Sequence, residues 1–217
     1  TVIFIFGAWE LLATVGVLDE FLFSKPSAII KLLIQYIKSN EIFIHVGVSL
    51  YETLLGLIIG TLLGIGLAIV LWFSKTLTRI LDPFLVVLNA LPKTALAPIL
   101  IIWAGTGIKG IVVVSISLSL IMTVISAHNF FVHVDEDKIK MLKSFNASKL
   151  QILTKLVLPS NVANLMSIVK INIGMSWVGV IVGEFLVSRF GIGYLVVYGG
   201  QVFKLDLVMM GVFVLAV

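Results

Sequence analysis

Residues 49–69 read SLYETLLGLIIGTLLGIGLAI, a run in which Glu52 is the single charged side chain. A helix of about 20 apolar residues is long enough to cross a hydrocarbon core about 30 Å thick. Lipid offers no water to unpaired backbone N–H and C=O groups, so an isolated segment of this kind crosses it as a helix. The run therefore predicts a membrane-spanning helix at about His45–Phe73 and an all-α fold.

Similar apolar segments occur along the rest of the chain. Hydrophobic residues make up 60% of the 217 residues and charged residues 12%, and the mean hydropathy is +1.19. These values lie outside the range of soluble domains. We expect one polytopic transmembrane bundle over residues 1–217 with about six spans and with both ends truncated. The further spans are placed at about Val2–Leu18, Ile80–Trp103, Ile108–Phe131, Val162–Phe185 and Val202–Val217.

The remaining polar features set the orientation and the class of partner. Pro26–Ser39 has an apolar stripe with Lys31 and Lys38 outside it, which predicts an amphipathic helix at the membrane interface. The distribution of Lys and Arg over the loops slightly favours cytoplasmic ends. The net charge of +4 is too small to indicate nucleic-acid binding.

Small and polar residues recur on single faces of three spans. The second span repeats Ser49, Thr53, Gly56, Gly60, Gly64 and Ala68, the fourth carries Ser115, Ser119, Thr123 and Ser126, and the fifth carries Asn172, Ser176, Gly179 and Gly183. Small residues at this spacing allow two helices to approach closely. A polar lining for a solute pathway is the other interpretation, with Ser115, Ser119 and Asn172 as candidates.

Two prolines and two lysines mark further candidate positions within the spans. Pro92 and Pro98 each remove a backbone donor, which predicts a kinked or unwound third span. Lys93 lies between them, about 20 Å along the helix from its inner end, at 1.5 Å per residue. Lys170 also falls near mid-membrane, where a lysine needs a partner, a cavity or an anion. Snorkelling or structural pairing is the alternative to a role in the pathway.

The segment Val134–Pro159, VDEDKIKMLKSFNASKLQILTKLVLP, is the longest polar interruption between apolar spans. We predict two short helices in it, the first with Ile139, Leu142 and Phe145 on its apolar face. Asn146 occupies a helix-stop position, and Ser148 with Gln151 forms a capping box that starts the second helix. Leu158–Pro159 is expected to end that helix. Such a hairpin suits a groove on a partner protein, or it lies on anionic lipid.

This segment resembles the cytoplasmic loop of binding-protein-dependent ABC transporter permeases. That loop has the pattern Glu-Ala-Ala, three residues, Gly, about nine residues, an apolar residue, one more and Leu-Pro. Here Lys140, Met141 and Leu142 replace Glu-Ala-Ala, and Asn146 replaces the Gly. Residues 49–69, 81–105 and 177–209 are similar to the nitrate, sulfonate, taurine and thiamine-precursor branch of that family. Glu52 stands where an Arg is common in that branch.

The resemblance implies a type I importer and a set of partners. A second permease subunit, by default an identical copy, an ATPase dimer, an extracytoplasmic substrate-binding protein and the bilayer of a bacterial-type cell membrane are expected. ATP and Mg²⁺ would bind the ATPase, so this chain is expected to be no enzyme and to hold no cofactor. The cargo would be a small solute, either an anion such as a sulfonate, nitrate or taurine, or a vitamin precursor. The residues expected to contact the ATPase are Lys140, Leu142, Phe145, Asn146, Ala147, Ser148 and Pro159.

Other patterns in the chain are weak. Gly105–Gly110 matches G-x-G-x-x-G but follows a membrane span, so we interpret it as a turn between helices. His45, His128 and His133 lack the spacing and partners of a metal site. An ion-coupled secondary transporter is the alternative function. It would need carboxylates near the midplane, whereas the acids here lie toward the ends of the spans.

Overall fold

The computed structural model of the protein describes residues 2–217, except for the side chains of residues 2, 3 and 20. The predicted domain over residues 1–217 includes Thr1, which lies outside the described residues. The α-helices are α1 Val2–Thr14, α2 Glu20–Phe23, α3 Pro26–Lys38, α4 Glu41–Phe73, α5 Lys75–Ala90, α6 Ala97–Ala104, α7 Ile108–Val132, α8 Glu136–Ser144, α9 Lys149–Ile152, α10 Leu158–Ser160, α11 Val162–Val187, α12 Ile192–Gln201 and α13 Leu205–Ala216. A 3₁₀ turn covers Lys93–Leu96, and a π-helical turn covers Leu153–Val157.

Three helices, α4, α7 and α11, are long and apolar enough to cross a membrane, and the bent pair α5–α6 is a possible fourth span. All three were predicted from the sequence to within a few residues. The prediction of about six spans is met only in part, because α1 and α13 are shorter apolar helices. The last predicted span is corrected as well: α12 ends at Gln201, and α13 starts only at Leu205.

Helices α4, α7 and α11 pack against one another and form the three-helix core. Side chains of α7 fill the space over small residues of α4. A Cβ atom added at Gly64 would lie 2.6 Å from the Cβ of Thr123, and Gly56 and Gly60 face Ser115 and Ser119 in the same way. The stripe of small residues therefore brings the helices into close contact, as the spacing predicted.

Two apolar clusters cover the ends of the core. At one end, which we call the hairpin end, residues 134–159 pack onto Ala68 of α4, Phe131 of α7 and Ile168 of α11. At the distal end, α3 and α13 pack beside the start of α4 through Ile29, Ile42 and Met210, among others. Helices α4 and α7 thus run from the distal end to the hairpin end, and α11 runs back.

The amphipathic helix α3 divides its apolar residues between two surroundings. Ile29 is 5% exposed and belongs to an apolar cluster with residues of α4, α12 and α13, whereas Ile30 is 57% exposed and Ile34 is 46% exposed. Pro26 occupies the first turn, where the missing N–H has no intrahelical partner to lose. One face of α3 is thus attached to the bundle, and the other remains open.

The third predicted span is broken, and the break is sharp. Helices α5 and α6 are bent by 87° across residues 91–92, where Pro92 interrupts the helix. Pro98 instead lies in the first turn of α6, a position that a proline tolerates. The predicted depth of Lys93 assumed a straight helix and does not apply to this geometry.

Candidate coupling hairpin and buried polar sites

The first helix of the hairpin, α8, begins with a local cap. The Asp137 N–H donates to the Asp135 carboxylate at 2.9 Å, and Glu136 and Asp137 lie in the first turn. Negative side chains are favourable there because the helix dipole is positive at its N-terminus. Lys140 pairs with Asp137 at 3.0 Å, but both side chains are largely exposed. Exposed pairs of this type contribute about 0–1 kcal/mol.

The turn between the two hairpin helices is a Schellman motif. Asn146 has φ +57°, a left-handed conformation that few residues other than Gly and Asn adopt at low cost. Its N–H donates to the Lys143 carbonyl at 2.9 Å, and the Ala147 N–H donates to the Leu142 carbonyl at 3.1 Å. The predicted helix stop at Asn146 is confirmed, and the turn has a defined shape.

The second helix, α9, starts with the predicted capping box. The Ser148 N–H donates to Gln151 Oε1 at 2.8 Å, and the Gln151 N–H donates to Ser148 Oγ at 3.2 Å. The predicted end at Leu158–Pro159 is wrong. Pro159 lies in the first turn of α10, and the helical path continues through the π turn to a break at Asn161. The π turn at Leu153–Val157 replaces regular helical bonding just before Pro159, so the missing N–H of the proline does not end this segment.

The hairpin residues expected to contact an ATPase divide into two groups. Leu142 and Ala147 pack against the apolar cluster at the hairpin end, whereas Lys140, Asn146, Ser148 and Pro159 are exposed. Phe145 is 76% exposed and does not share the packed face of Ile139 and Leu142, which corrects the predicted apolar face. Phe145 follows the last residue of α8, so helical periodicity no longer fixes its direction.

Ser115 and Ser119, two pathway candidates, lie inside the three-helix core. Both are 0% exposed. Ser115 Oγ donates to the Ser176 carbonyl of α11 at 3.1 Å, and Ser119 Oγ donates to carbonyls of its own helix. Their contacts are those of helix packing, and a role in the pathway stays a prediction.

Asn172 connects all three helices of the core. Its side-chain NH₂ donates to Thr61 Oγ1 and to Thr123 Oγ1, each at 2.8 Å. Asn172 is 0% exposed, and its Oδ1 has no partner among the described residues. This polar bridge stabilises one arrangement of α4, α7 and α11.

The two candidate lysines lie outside the three-helix core. Lys93 Nζ donates to the backbone carbonyl of Asn89 at 3.1 Å and to its side-chain oxygen at 3.2 Å. Lys93 therefore closes the C-terminal turn of α5 at the 87° break. Lys170 lies on α11 and is exposed, so it is not part of the buried core.

A buried carboxyl pair at the distal end was not predicted. Glu184 accepts from Ser49 Oγ at 2.5 Å and from the Gly193 N–H at 2.6 Å. Glu52 lies beside Glu184, and each residue is 1% exposed. Glu52 Oε2 has no partner among the described residues. The sequence marks both acids, but nothing in it reveals that they meet.

The turn between α11 and α12 closes over this pair. Gly191 has φ +104°, and a Cβ atom there would collide with the Glu184 carboxyl group. The Gly191 N–H donates to His45 Nδ1 at 3.1 Å, and the Ile192 N–H donates to Ser49 Oγ at 2.8 Å. Only glycine fits position 191, and the turn is fastened to α4 at two points.

A cavity of about 560 Å³ lies beside the pair. Its wall is formed by α4, by the turn between α6 and α7, and by residues 187–190 after α11. Glu52 is the acidic residue of this wall and Arg189 is its basic residue. We call this space the distal cavity.

Long apolar helices and a tightly interlocked core define a helical membrane protein with a structured polar hairpin at one end. The chain belongs to the family described as the binding-protein-dependent transport system inner membrane component, which matches residues 60–217. The chain is thus an ABC transporter permease, a membrane transport subunit rather than a catalytic one.

Three relatives are similar over most of the chain. A probable ABC transporter permease protein of Haemophilus influenzae is 29% identical over 95% of this chain and 84% of its own length. The putative aliphatic sulfonates transport permease SsuC of Bacillus subtilis is 27% identical over 98% and 77%. The taurine transport system permease TauC of Escherichia coli is 24% identical over 96% and 78%. These relatives support the predicted branch of importer permeases.

Proposed function

We propose that this chain is the permease subunit of an ATP-driven importer in a bacterial-type cell membrane, and that residues 134–159 dock onto the ATPase. One observation carries the proposal: the hairpin has a fixed shape, is anchored on the core, and exposes Phe145. An apolar side chain that is 76% exposed at the tip of a structured turn suits insertion into a groove. Lys140, Asn146 and Ser148 would border that contact, and Leu142, Ala147 and Pro159 would support it.

The remaining partners follow from the family and from the surface of the core. A second permease subunit, by default an identical copy, would face Lys170. A lysine exposed on a membrane span costs at least about 2.5 kcal/mol in lipid, so a protein or aqueous neighbour is favoured. An ATPase dimer would bind ATP and Mg²⁺, and an extracytoplasmic binding protein would deliver the cargo at the distal end.

The pathway is proposed to run outside the three-helix core, with Lys93 and Lys170 as its candidate residues. The interior of the three-helix core is filled, since Ser115, Ser119 and Asn172 are 0% exposed. These three residues would affect transport through the packing of the core rather than by contact with cargo. The relatives named for sulfonates and taurine favour a small sulfonate as cargo, with nitrate or a vitamin precursor as alternatives.

The decisive experiment combines this chain with its cognate ATPase in proteoliposomes. Phe145→Ala should lower co-purification of the ATPase and ATP-dependent uptake without lowering the thermal stability of the permease. Leu150→Ala is the matched control, because Leu150 is also an exposed apolar residue of the hairpin, at 61%, but lies beyond the turn. Normal uptake by the Phe145→Ala variant would contradict docking through this turn.

The buried carboxyl pair favours a second candidate function, an ion-coupled secondary transporter. Intramembrane acids of this kind often carry protons or cations in such transporters. Uptake that stops with an ionophore and continues without ATP would support it. Uptake that needs ATP and persists with the ionophore would support the importer.

A further inference from the structure

The hairpin segment and the core helix α11 meet at a joint between α10 and α11. The helical path that starts with α9 ends at Asn161 and resumes with Val162. The backbone N–H of Asn161 donates to the Leu158 carbonyl, three residues back, at 3.1 Å. In a regular α-helix this N–H would donate to Val157, four residues back. The Val157 carbonyl is thus released from the backbone ladder at the joint.

The side chain of Asn161 takes the place of the missing backbone bond. Its NH₂ group donates to the Val157 carbonyl at 2.9 Å. Its Oδ1 accepts from the side-chain NH₂ of Asn164, in the first turn of α11, at 2.8 Å. A carbonyl can only accept, so the nitrogen of the amide must face Val157 and its oxygen is left for α11. One amide group therefore bridges the two sides of the joint.

The bridge is buried at the hairpin end of the core. Asn161 is 4% exposed and Val157 is 0% exposed, and Val157 belongs to the apolar cluster that includes Phe131 and Ile168. A hydrogen bond in such surroundings is electrostatically stronger than one in water. The bridge should therefore resist bending of the joint more than an exposed pair of side chains would.

The location of the bridge gives it a possible part in transport, which rests on the proposed docking of residues 134–159 onto the ATPase. Force received by the hairpin would reach α11 along the chain through this joint. Regular helical bonding is already replaced by the π turn at Leu153–Val157, immediately before it. Without the amide bridge, the hairpin could tilt while α11 stays in place.

We propose that Asn161 is a positioning residue for the coupling of ATP hydrolysis to transport. Its side chain holds the joint in one geometry, so that a movement of the docked hairpin is passed to α11. Asn161 would act through α11, without contact to the cargo or to the ATPase.

Two neighbouring side chains allow a matched pair of variants. Asn161→Ala removes both bonds of the bridge, but it leaves the buried Val157 carbonyl with a donor, because Ser160 Oγ also donates to it at 3.2 Å. The variant is therefore expected to fold. Ser160→Ala is the control, because it removes a bond to the same carbonyl and leaves the bridge to α11 in place. Asn164→Ala is a second test variant, which opens only the α11 side of the bridge.

The absence of cysteine from the sequence permits spin labels at chosen positions in the complete permease–ATPase complex. Leu150→Cys on α9 and Ile173→Cys on α11 are exposed positions on the two sides of the joint. They are separated by about 35 Å of helical path at 1.5 Å per residue. The distance distribution between the labels is measured by double electron–electron resonance, with and without ATP. Uptake of labelled taurine per ATP hydrolysed is measured on the same variants, without labels, in proteoliposomes.

Asn161→Ala should widen the distance distribution relative to the unsubstituted joint and to Ser160→Ala. Uptake per ATP hydrolysed should fall about fivefold, the factor by which the loss of one hydrogen bond shifts an equilibrium. Co-purification of the ATPase should stay unchanged, since the docking residues of the hairpin are intact. Asn164→Ala should change both measurements in the same direction.

Equal distance distributions in Asn161→Ala and Ser160→Ala would overturn the proposal. A wider distribution with unchanged uptake per ATP would also overturn it, because Asn161 would then have a structural role only. Failure of the proposed function would look different. The ATPase would then not co-purify with the unsubstituted permease, whereas the distance distributions of the permease alone would still distinguish Asn161→Ala from Ser160→Ala.

Discussion

Replacing Gly179 by alanine should separate two helices of the core. A Cβ atom at this position would lie 2.5 Å from the Cα and 3.1 Å from the backbone N of Ser115. Ordinary carbon contacts are about 3.5–4.0 Å, so α7 and α11 would have to move apart by about 1 Å. The atoms in the way belong to the backbone, and no side-chain rotation can relieve the contact.

The expected cost of Gly179→Ala has two parts. Overpacking of a close-packed core costs about 1–3 kcal/mol. The movement would also stretch the hydrogen bond from Ser115 Oγ to the Ser176 carbonyl, now 3.1 Å, which is worth about 1 kcal/mol. We therefore expect the free energy of unfolding to fall by about 2–4 kcal/mol, even though alanine favours a helix more than glycine does.

Gly174→Ala is the matched control on the same helix. A Cβ atom there has no neighbour within 4 Å, so this substitution should keep or raise stability through helix propensity alone, by up to about 1 kcal/mol. Unfolding of both purified variants in detergent is followed by circular dichroism during heating or denaturant titration. Equal stability of the two variants would refute the packing argument for the core.

Three further predictions concern the hairpin and the carboxyl pair. Asn146→Val should destabilise the turn by at least about 1–2 kcal/mol because Val resists a left-handed backbone, whereas Asn146→Gly should retain the turn. Amide hydrogen exchange in α8 distinguishes the two variants. Equal protection of α8 in both would contradict the helix cap at Asn146. Ser148→Ala and Gln151→Ala should each lower the stability of α9 by about 1 kcal/mol. The double variant should lose less than the sum of the two, because the two hydrogen bonds form one capping box. Additive effects on amide hydrogen exchange in α9 would argue against a single motif. Glu184→Gln should lower stability by about 1–3 kcal/mol, because an NH₂ group replaces one acceptor oxygen. Glu136→Gln is the control, because Glu136 is an exposed acid of the hairpin, and it should leave stability nearly unchanged. A similar loss of stability in both variants would mean that the burial of Glu184 is not the cause.

The features predicted from the sequence depend on neighbours along the chain. Spans α4, α7 and α11 follow from continuous hydropathy. The stop at Asn146 and the capping box of Ser148 and Gln151 follow from side chains that bond to backbone groups within three residues. Such chemistry is contained in a short segment, so the sequence is sufficient to place it.

The features that were missed depend on contacts between distant segments. Ser49 and Glu184 are hydrogen-bonded across 135 residues, and neither position reveals its partner. Pro92 predicted a break but not its angle of 87°, which also depends on the packing of α6 against α7. Phe145 was assigned to a packed face because helical periodicity was extended one residue past the end of α8.

The contacts of the core also limit where a conformational change can occur. Gly56 and Gly179 both approach Ser115, and Asn172 bonds to α4 and α7 at once. A slide of one helix past another would collide at the glycines and leave the amide without partners. Close-packed interfaces of this kind switch between discrete arrangements rather than deform gradually. Force applied at the hairpin should therefore move α4, α7 and α11 as one body. The change in shape would then fall outside this core, at the α5–α6 break, in the π turn before α11, or between two permease subunits.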